Sequence, residues 1–368
     1  QAWTDIIARH ESLRSYFTAV DSQPRQVILD TAPFSLPVIR LAEIKRADQE
    51  MVASYEALEA YQQFVTALDG ELEKSDIAAL WQLIEQQRQH RFLLEQPQPL
   101  LVITLVAISD DNYLLLSNMH HIVADGWSMH LMVQELLAFY RQHIDQQPAD
   151  LQPLAIQYKD YAAWQLEQGP SLATAKAYWH DYLAGELPYL ELPLDHPRPS
   201  QQSFQGASAY LNISEAQLAG LQGLCQQGRG TLFMVLASSV SLLLHHYSGQ
   251  REVRLGYPMA NRRHPALANL IGFFINTLVY RSQIDWQQGF KQYFAKAVES
   301  FTQSFEHQDY PFDRLVEELG LAADASRSPL FDVLLILQNN EQAEFAAEGL
   351  AVKEIELAAT TAQYDLTF

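Results

Sequence analysis

Residues 100 to 145 constrain the fold most tightly. Two short apolar runs, LLVITLVAI (100–108) and YLLLSNMHH (113–121), flank the polar tetrapeptide SDDN, and ADGWSMHLMVQELLAFYRQHI follows shortly after. Short apolar runs separated by turn residues read as two β-strands of a hairpin. In the third stretch Trp127, Leu131, Met132, Leu136, Leu137 and Tyr140 recur at helical spacing, with Asp125 or Ser128 at hand to cap the first turn. The adjacent His120 and His121 are therefore expected at a strand-to-helix junction.

The rest of the chain repeats this mixture of elements. Residues 44 to 90 are helix-prone and charged. The stretch ELPYLELPLDHPRPSQQSFQG holds Pro188, Pro193, Pro197 and Pro199, a density that excludes helix interiors and central strands. It reads as a connection over 185–206 between one lobe at 1–184 and another at 207–368. Beyond it SEAQLAGLQGLCQQ, TLFMVLASSVSLLLHHYSG and FKQYFAKAVESFTQSFEH pattern as helices, and REVRLGYPM and GFFINTLVYR as strands. The fold class is α/β (α+β), and 368 residues are enough for two compact units.

Charge and cysteine content narrow the function. With 24 basic and 44 acidic residues the formal net charge is −20, which repels nucleic-acid backbones and anionic lipid surfaces. A single cysteine, Cys225, makes no internal disulfide and suits a reduced, cytoplasmic setting. The most apolar run, from Thr231, falls short of the ~18 to 20 residues that span a bilayer, and no leader-like pattern opens the sequence. A soluble cytoplasmic protein without a membrane or nucleic-acid partner is expected.

Chemistry concentrates at SNMHHIVADGWSMH (117–130). Side chains alternate along a strand, so Ser117, Met119 and His121 would point one way and Leu116, Asn118 and His120 the other. One imidazole can then face a cavity while its neighbour packs behind. Opposed imidazoles do not converge on one ion, so no metal site is expected. Asp125 is placed to hold the local backbone or an arginine, and Gly126 allows a tight turn and close approach of a substrate to the main chain. The second pair, His245-His246, ends a helix just before Gly249 and lacks a following Asp-Gly, so it reads as structural.

Several blocks in order extend the pattern: RHESLRSYF (9–17), MHHIVADGWS (119–128), YKDYAAW (158–164), DHPRP (195–199), IGFFINTLVYR (271–281), HQDYPFDRLV (307–316) and SRSPLFDV (326–333). Together they resemble the condensation domains of nonribosomal peptide synthetases, in the chloramphenicol acetyltransferase-like superfamily. The resemblance covers nearly the whole chain. Against the family pattern the segment from Glu43 to His90 is longer, and both ends read as cut short.

This resemblance implies two acetyltransferase-like lobes in a V, with a tunnel between them entered by two carrier-bound phosphopantetheine arms. It implies amide formation, in which the α-amine of a downstream aminoacyl thioester attacks an upstream acyl or peptidyl thioester. The expected partners are the upstream and downstream carrier domains and an adjacent adenylation domain. No cofactor is expected on the domain itself, the substrates riding on 4'-phosphopantetheine.

By the same resemblance His121 is the active-site imidazole, with His120 behind it, Asp125 architectural and Gly126 lining the reaction site. Asp125 is expected to pair with Arg9 or, second, with Arg327. Trp127 and Ser128 flank the site. The polar pair Asn276-Thr277 inside an apolar strand wants partners, and lining of the tunnel is one reading of it. Tyr158, Asp160, Trp164 and the DYPF turn read as packing.

A free α-amine titrates near ~7.7 to 8.0 and an unperturbed imidazole near ~6.5. A sizeable fraction of the nucleophile is then already neutral at cytosolic pH. The imidazole can act as base or can position the amine and take its proton later; both roles need a neutral ring with a nitrogen exposed to the reactants. An epimerisation domain, which also carries HHxxxDG, places its tryptophan after the serine, whereas Trp127 precedes Ser128 here. Heterocyclising relatives replace the His pair with aspartates. A non-catalytic carrier-docking platform of the same fold is the alternative from another class.

Overall fold

The computed structural model describes every residue except 45–47, 57, 69–71, 170–171, 322–323, 339–345, 348, 356 and 358. Positions 45–47, 57 and 69–71 of the helix-prone stretch thus lie outside the described residues. The chain divides into two compact units. Unit 1 comprises Gln1–Glu167, Arg262–Phe274 and Gln342–Ala358; unit 2 comprises Gln168–Asn261, Ile275–Glu341 and Ala359–Phe368.

Unit 1 is built on a three-stranded sheet of β3 (Val38–Arg40), β4 (Leu101–Ala107) and β5 (Tyr113–Met119), preceded by a separate hairpin, β1 (Ser15–Val20) with β2 (Gln23–Ile28). The expected hairpin forms: β4 and β5 pair antiparallel from Leu101 opposite Met119 to Ala107 opposite Tyr113, and β3 joins β4 in parallel. The central strand β4 is covered on both faces, which explains its nearly unbroken apolar run, whereas Tyr113, Leu115 and Ser117 of β5 are exposed on one side. On one face Leu101 and Ile103 meet Trp3, Ile6 and Ile7 of α1 (Ala2–Arg9) and Leu131 and Met132 of α5 (Gly126–Asp145). On the other, Val106 and Leu114 join Tyr61 and Phe64 of α3 (Glu59–Ala67) and Leu80 and Trp81 of α4 (Lys74–Arg88), beside the half-buried α2 (Gln49–Glu56). A third cluster joins Tyr161 of α6 (Tyr158–Glu167) to Leu267, Leu270 and Phe274.

Unit 2 has a four-stranded sheet in which β7 (Asn276–Gln283) runs antiparallel to β6 (Glu252–Met259), followed by β8 (Val333–Leu334) and β9 (Leu366–Thr367), each parallel to its neighbour. Its helices are α7 (Ala173–Tyr182), α8 (Glu215–Gly228), α9 (Leu232–Ser248), α10 (Phe290–Glu306) and α11 (Phe312–Leu319). Thr231 caps α9 at its start and Gly249, at φ +71°, ends it. His245 is buried there and His246 exposed, as expected of a structural pair. No single helix among the described residues is long and apolar enough to cross a membrane.

Two expectations change. The strand predicted over GFFINTLVYR starts only at Asn276, because Gly272–Phe274 is bound to other partners in unit 1. The proline-rich stretch 185–206 is also not where the units divide, since all of it lies in unit 2. Arginines hold its carbonyls: Arg254 Nη2 donates to Pro188 O at 2.8 Å, Arg327 Nη1 to Leu190 O at 3.2 Å, and Arg198 Nη1 in turn reaches Ser326 O at 3.0 Å. Outside the Gln205–Thr361 bridge, guanidinium groups, which accept no hydrogen bonds and supply several, help fix this irregular chain to its own unit.

Candidate active site

The His pair follows β5 directly. His120 N–H still donates to Leu100 O at 2.9 Å, but the strand has ended at Met119, and residues 121–123 form a turn closed by Val123 N–H on His120 O at 3.1 Å. Strand alternation thus stops short of the histidines, and the turn itself sets their different directions. The His120 ring is half-buried, edge-on to Phe92, and its Nδ1 accepts the Ile122 N–H at 3.1 Å. A neutral His120 therefore carries its proton on Nε2. Burial, and then the neighbouring His121, hold its pKa below the usual imidazole value.

The His121 ring is exposed. It stands perpendicular to the ring of Phe273, at 89° and 5.1 Å between centroids. Among the described residues neither of its nitrogens has a hydrogen-bond partner.

Asp125 is buried and caps α5. Its Oδ1 accepts from Ser128 N at 2.8 Å, Ser128 Oγ at 2.7 Å and Arg262 Nη2 at 3.0 Å, while Oδ2 accepts from Phe274 N at 3.0 Å. Four donors on one carboxylate offset the cost of burying its charge. The cation partner is therefore Arg262, and neither of the arginines expected from sequence. Arg9 is engaged by Glu135 at 3.1 Å and by Gln152 O, and Arg327 by Asp332 at 2.9 Å in unit 2. Proximity along the chain and family order carry no information on which guanidinium tertiary packing delivers.

Arg262 is held through both terminal nitrogens, while its buried Nε has no hydrogen-bond partner among the described residues. Its Nη1 donates to Leu267 O and Leu270 O, both at 2.6 Å, its Nη2 also reaches Ser128 Oγ at 2.9 Å, and its guanidinium stacks on Phe274 at 4.1 Å. Its side chain is only 4% exposed, and burial lowers its pKa against the opposing pull of Asp125. Ser128 Oγ is bonded to Gly272 O at 2.9 Å, and Asp125 N–H donates to the same carbonyl at 3.1 Å. The Tyr158 hydroxyl donates to Phe273 O at 2.8 Å; burial and then Asp125 push that phenol up to about 12. A Cβ at Gly272 would collide with the Tyr158 ring, so only glycine fits.

The other predicted residues separate. Gly126 is the first residue of α5, has no positive φ, and nothing lies within 4 Å of where its Cβ would be. Its freedom is spatial, on the exposed side of the helix start. Trp127 is 46% exposed and its Nε1 donates to Ala268 O at 3.0 Å, so it packs on the 262–274 segment. Asn276 is buried in unit 2, where its amide donates to Gln308 O and Tyr310 O, both at 2.7 Å, and accepts from Phe312 N at 3.0 Å. Those bonds use its polar atoms to staple the DYPF turn, which removes the tunnel-lining reading. Thr277 is half-buried opposite Pro258.

Sequence reasoning missed Arg262, which stands in the NRRHP run after β6, and a second buried group on α5. There Glu135 accepts from Arg9 and from His10 Nε2 at 2.8 Å, and His10 Nδ1 accepts Ile271 N–H at 3.3 Å. No spacing rule links these positions, which lie more than a hundred residues apart.

Asp125, Arg262 and Ser128 are thus committed to one another, whereas His121 is exposed with neither ring nitrogen hydrogen-bonded among the described residues. No group of three or more His, Cys, Asp or Glu side chains among the described residues is arranged to hold a metal ion. The family model for the condensation domain matches residues 1–368.

The chain belongs to the condensation domain family. A plipastatin synthase polypeptide of Bacillus subtilis (strain 168) is 35% identical over 370 residues; the match covers 100% of this chain and 13% of that relative, so this condensation domain spans about an eighth of its length. The X-domain from teicoplanin biosynthesis has the same fold, with a TM-score of 0.74 at 24% identity over 91% of this chain and 68% of that one. A four-domain nonribosomal peptide synthetase bound to AMP and glycine matches 100% of this condensation domain and 26% of its own chain, with a TM-score of 0.74 at 23% identity. The expected mixed α/β class is borne out.

Proposed function

We propose that the protein joins an upstream acyl or peptidyl thioester to the amine of a downstream aminoacyl thioester, with His121 as the acting group. The observation that carries this reading is an exposed imidazole with both nitrogens unengaged among the described residues, set in a hydrogen-bonded turn beside a buried Asp125–Arg262 ion pair. The imidazole accepts an N–H of the amine as its nitrogen bonds to the thioester carbon. As the tetrahedral adduct collapses, the C–S bond breaks and the amine's proton passes through the ring to the departing sulfur, leaving an amide and a thiol. Asp125 takes no part in proton transfer; it holds the start of α5 and the Gly272–Phe274 segment in register.

Both substrates would arrive on the 4'-phosphopantetheine of carrier domains, one upstream and one downstream, with an adenylation domain as neighbour, since the relatives are much longer synthetase polypeptides. A chain with Cys225 as its one cysteine suits the reducing cytoplasm.

The test is to mix the protein with one acyl-loaded and one aminoacyl-loaded carrier and follow the new amide by mass spectrometry. His121→Ala is expected to lower transfer by roughly 10²-fold or more with an unchanged melting temperature, because the ring is exposed. Full activity in that variant refutes the assignment. Carrier binding by the wild-type protein without product would instead indicate a docking platform, and inversion of the donor Cα without transfer an epimerase.

A further inference from the structure

We propose that Phe273 is a positioning residue for the reaction, fixing the rotamer of His121 by an edge-to-face contact; this rests on the function proposed above. An exposed imidazole on a turn, with no hydrogen bond to its nitrogens among the described residues, has its backbone set but its χ angles free. Proteins that use histidine as a base commonly orient the ring through a carboxylate or carbonyl on the second nitrogen. Here Asp125 is consumed by Ser128, Arg262 and Phe274, and is not available for that task.

The Phe273 ring stands against the His121 imidazole, perpendicular at 5.1 Å between centroids. Its own placement is rigid although it is 38% exposed. Three consecutive residues are tied down by different side chains: Gly272 by Ser128, the Phe273 carbonyl by the Tyr158 hydroxyl, and the Phe274 N–H by Asp125. A residue whose main chain is held on both sides, and whose side chain is left half in solvent against one ring, is placed for that ring. An aromatic contact also leaves both imidazole nitrogens to the reactants, which a hydrogen-bonded orienter would not.

The experiment compares Phe273→Leu, Phe273→Tyr and His121→Ala, singly and with Phe273→Leu combined with His121→Ala, in the two-carrier assay. Phe273→Leu is expected to lower kcat by about 3- to 10-fold, the bias an aromatic pair exerts on a rotamer, with KM for both carriers and melting temperature unchanged. Phe273→Tyr, which keeps the ring, restores kcat. In the His121→Ala background Phe273→Leu has no further effect. An independent reading comes from the His121 ring protons by NMR, whose ring-current shift is lost in Phe273→Leu and kept in Phe273→Tyr. Equal kcat for wild type and Phe273→Leu, or effects that multiply in the double variant, overturn the positioning role. If His121→Ala is itself fully active while the ring-current shift behaves as expected, it is the proposed function that fails.

Discussion

Replacing Asp125 by alanine tests the buried pair that underlies the site. The carboxylate accepts two hydrogen bonds from Ser128, one from Arg262 and one from Phe274 N–H. Its loss leaves the Arg262 guanidinium buried beside no anion, a defect of about 3 to 5 kcal/mol, and removes the cap of α5, about 1 kcal/mol. These share atoms and do not add in full, so about 4 kcal/mol is expected. For a unit of 150 to 250 residues each kcal/mol lowers the melting temperature by about 2 to 4 °C, which gives a fall of roughly 8 to 16 °C. Arg262→Met should cost less, roughly 3 kcal/mol, because Asp125 keeps the Ser128 and Phe274 donors. Since each single variant already breaks the ion pair, the double variant should be milder than the sum of the two by about 1 to 3 kcal/mol. Calorimetry and urea titration of the three variants measure this cycle. Strict additivity, or an Asp125→Ala protein melting with the wild type, would refute the reasoning.

Two further outcomes follow from single groups. The phenol of Tyr158 is raised to about 12 by burial; a neutral form favoured by folding contributes stability that is complete below the ordinary value near ~10 and is lost as pH climbs through the folded one. The phenolate absorbance missing from Tyr158→Phe should thus titrate near pH 12, and a titration near ~10 would contradict the buried Tyr158–Phe273 arrangement. Asn276→Leu leaves Phe312 N–H and two carbonyls without their partner, and should destabilise unit 2 by about 2 to 4 kcal/mol in urea unfolding; a change under about 0.5 kcal/mol would show that the DYPF turn does not depend on it.

Local features of the site were legible in the sequence. Apolar runs around SDDN specified the β4–β5 hairpin, and a capping aspartate before an amphipathic stretch specified α5. The strand boundary was less legible: the apolar run continues to His121, yet pairing ends at Met119, because a turn closed by one backbone bond leaves no mark in hydropathy. The partner of Asp125 was not legible at all. Arg9, Arg262 and Arg327 are equivalent in charge, and only packing brings Arg262 across 137 residues of chain. Asn276 illustrates the same limit, since an amide in an apolar strand announces that it needs partners without saying whether they are ligand or main chain.

The segment Arg262–Phe274 lies in sequence between two strands of one unit and completes the other. During synthesis the amino-terminal unit therefore emerges with its acid before its guanidinium. At about 5 to 20 residues per second the ribosome takes roughly 5 to 20 s to translate Gln168–Asn261 and deliver Arg262. Until then Asp125 and Ser128 have no Arg262 to meet, and the amino-terminal half cannot lock before its successor is largely made. No single cut in the gene separates the two units, so transplanting either into another condensation domain means accounting for the Arg262–Phe274 segment.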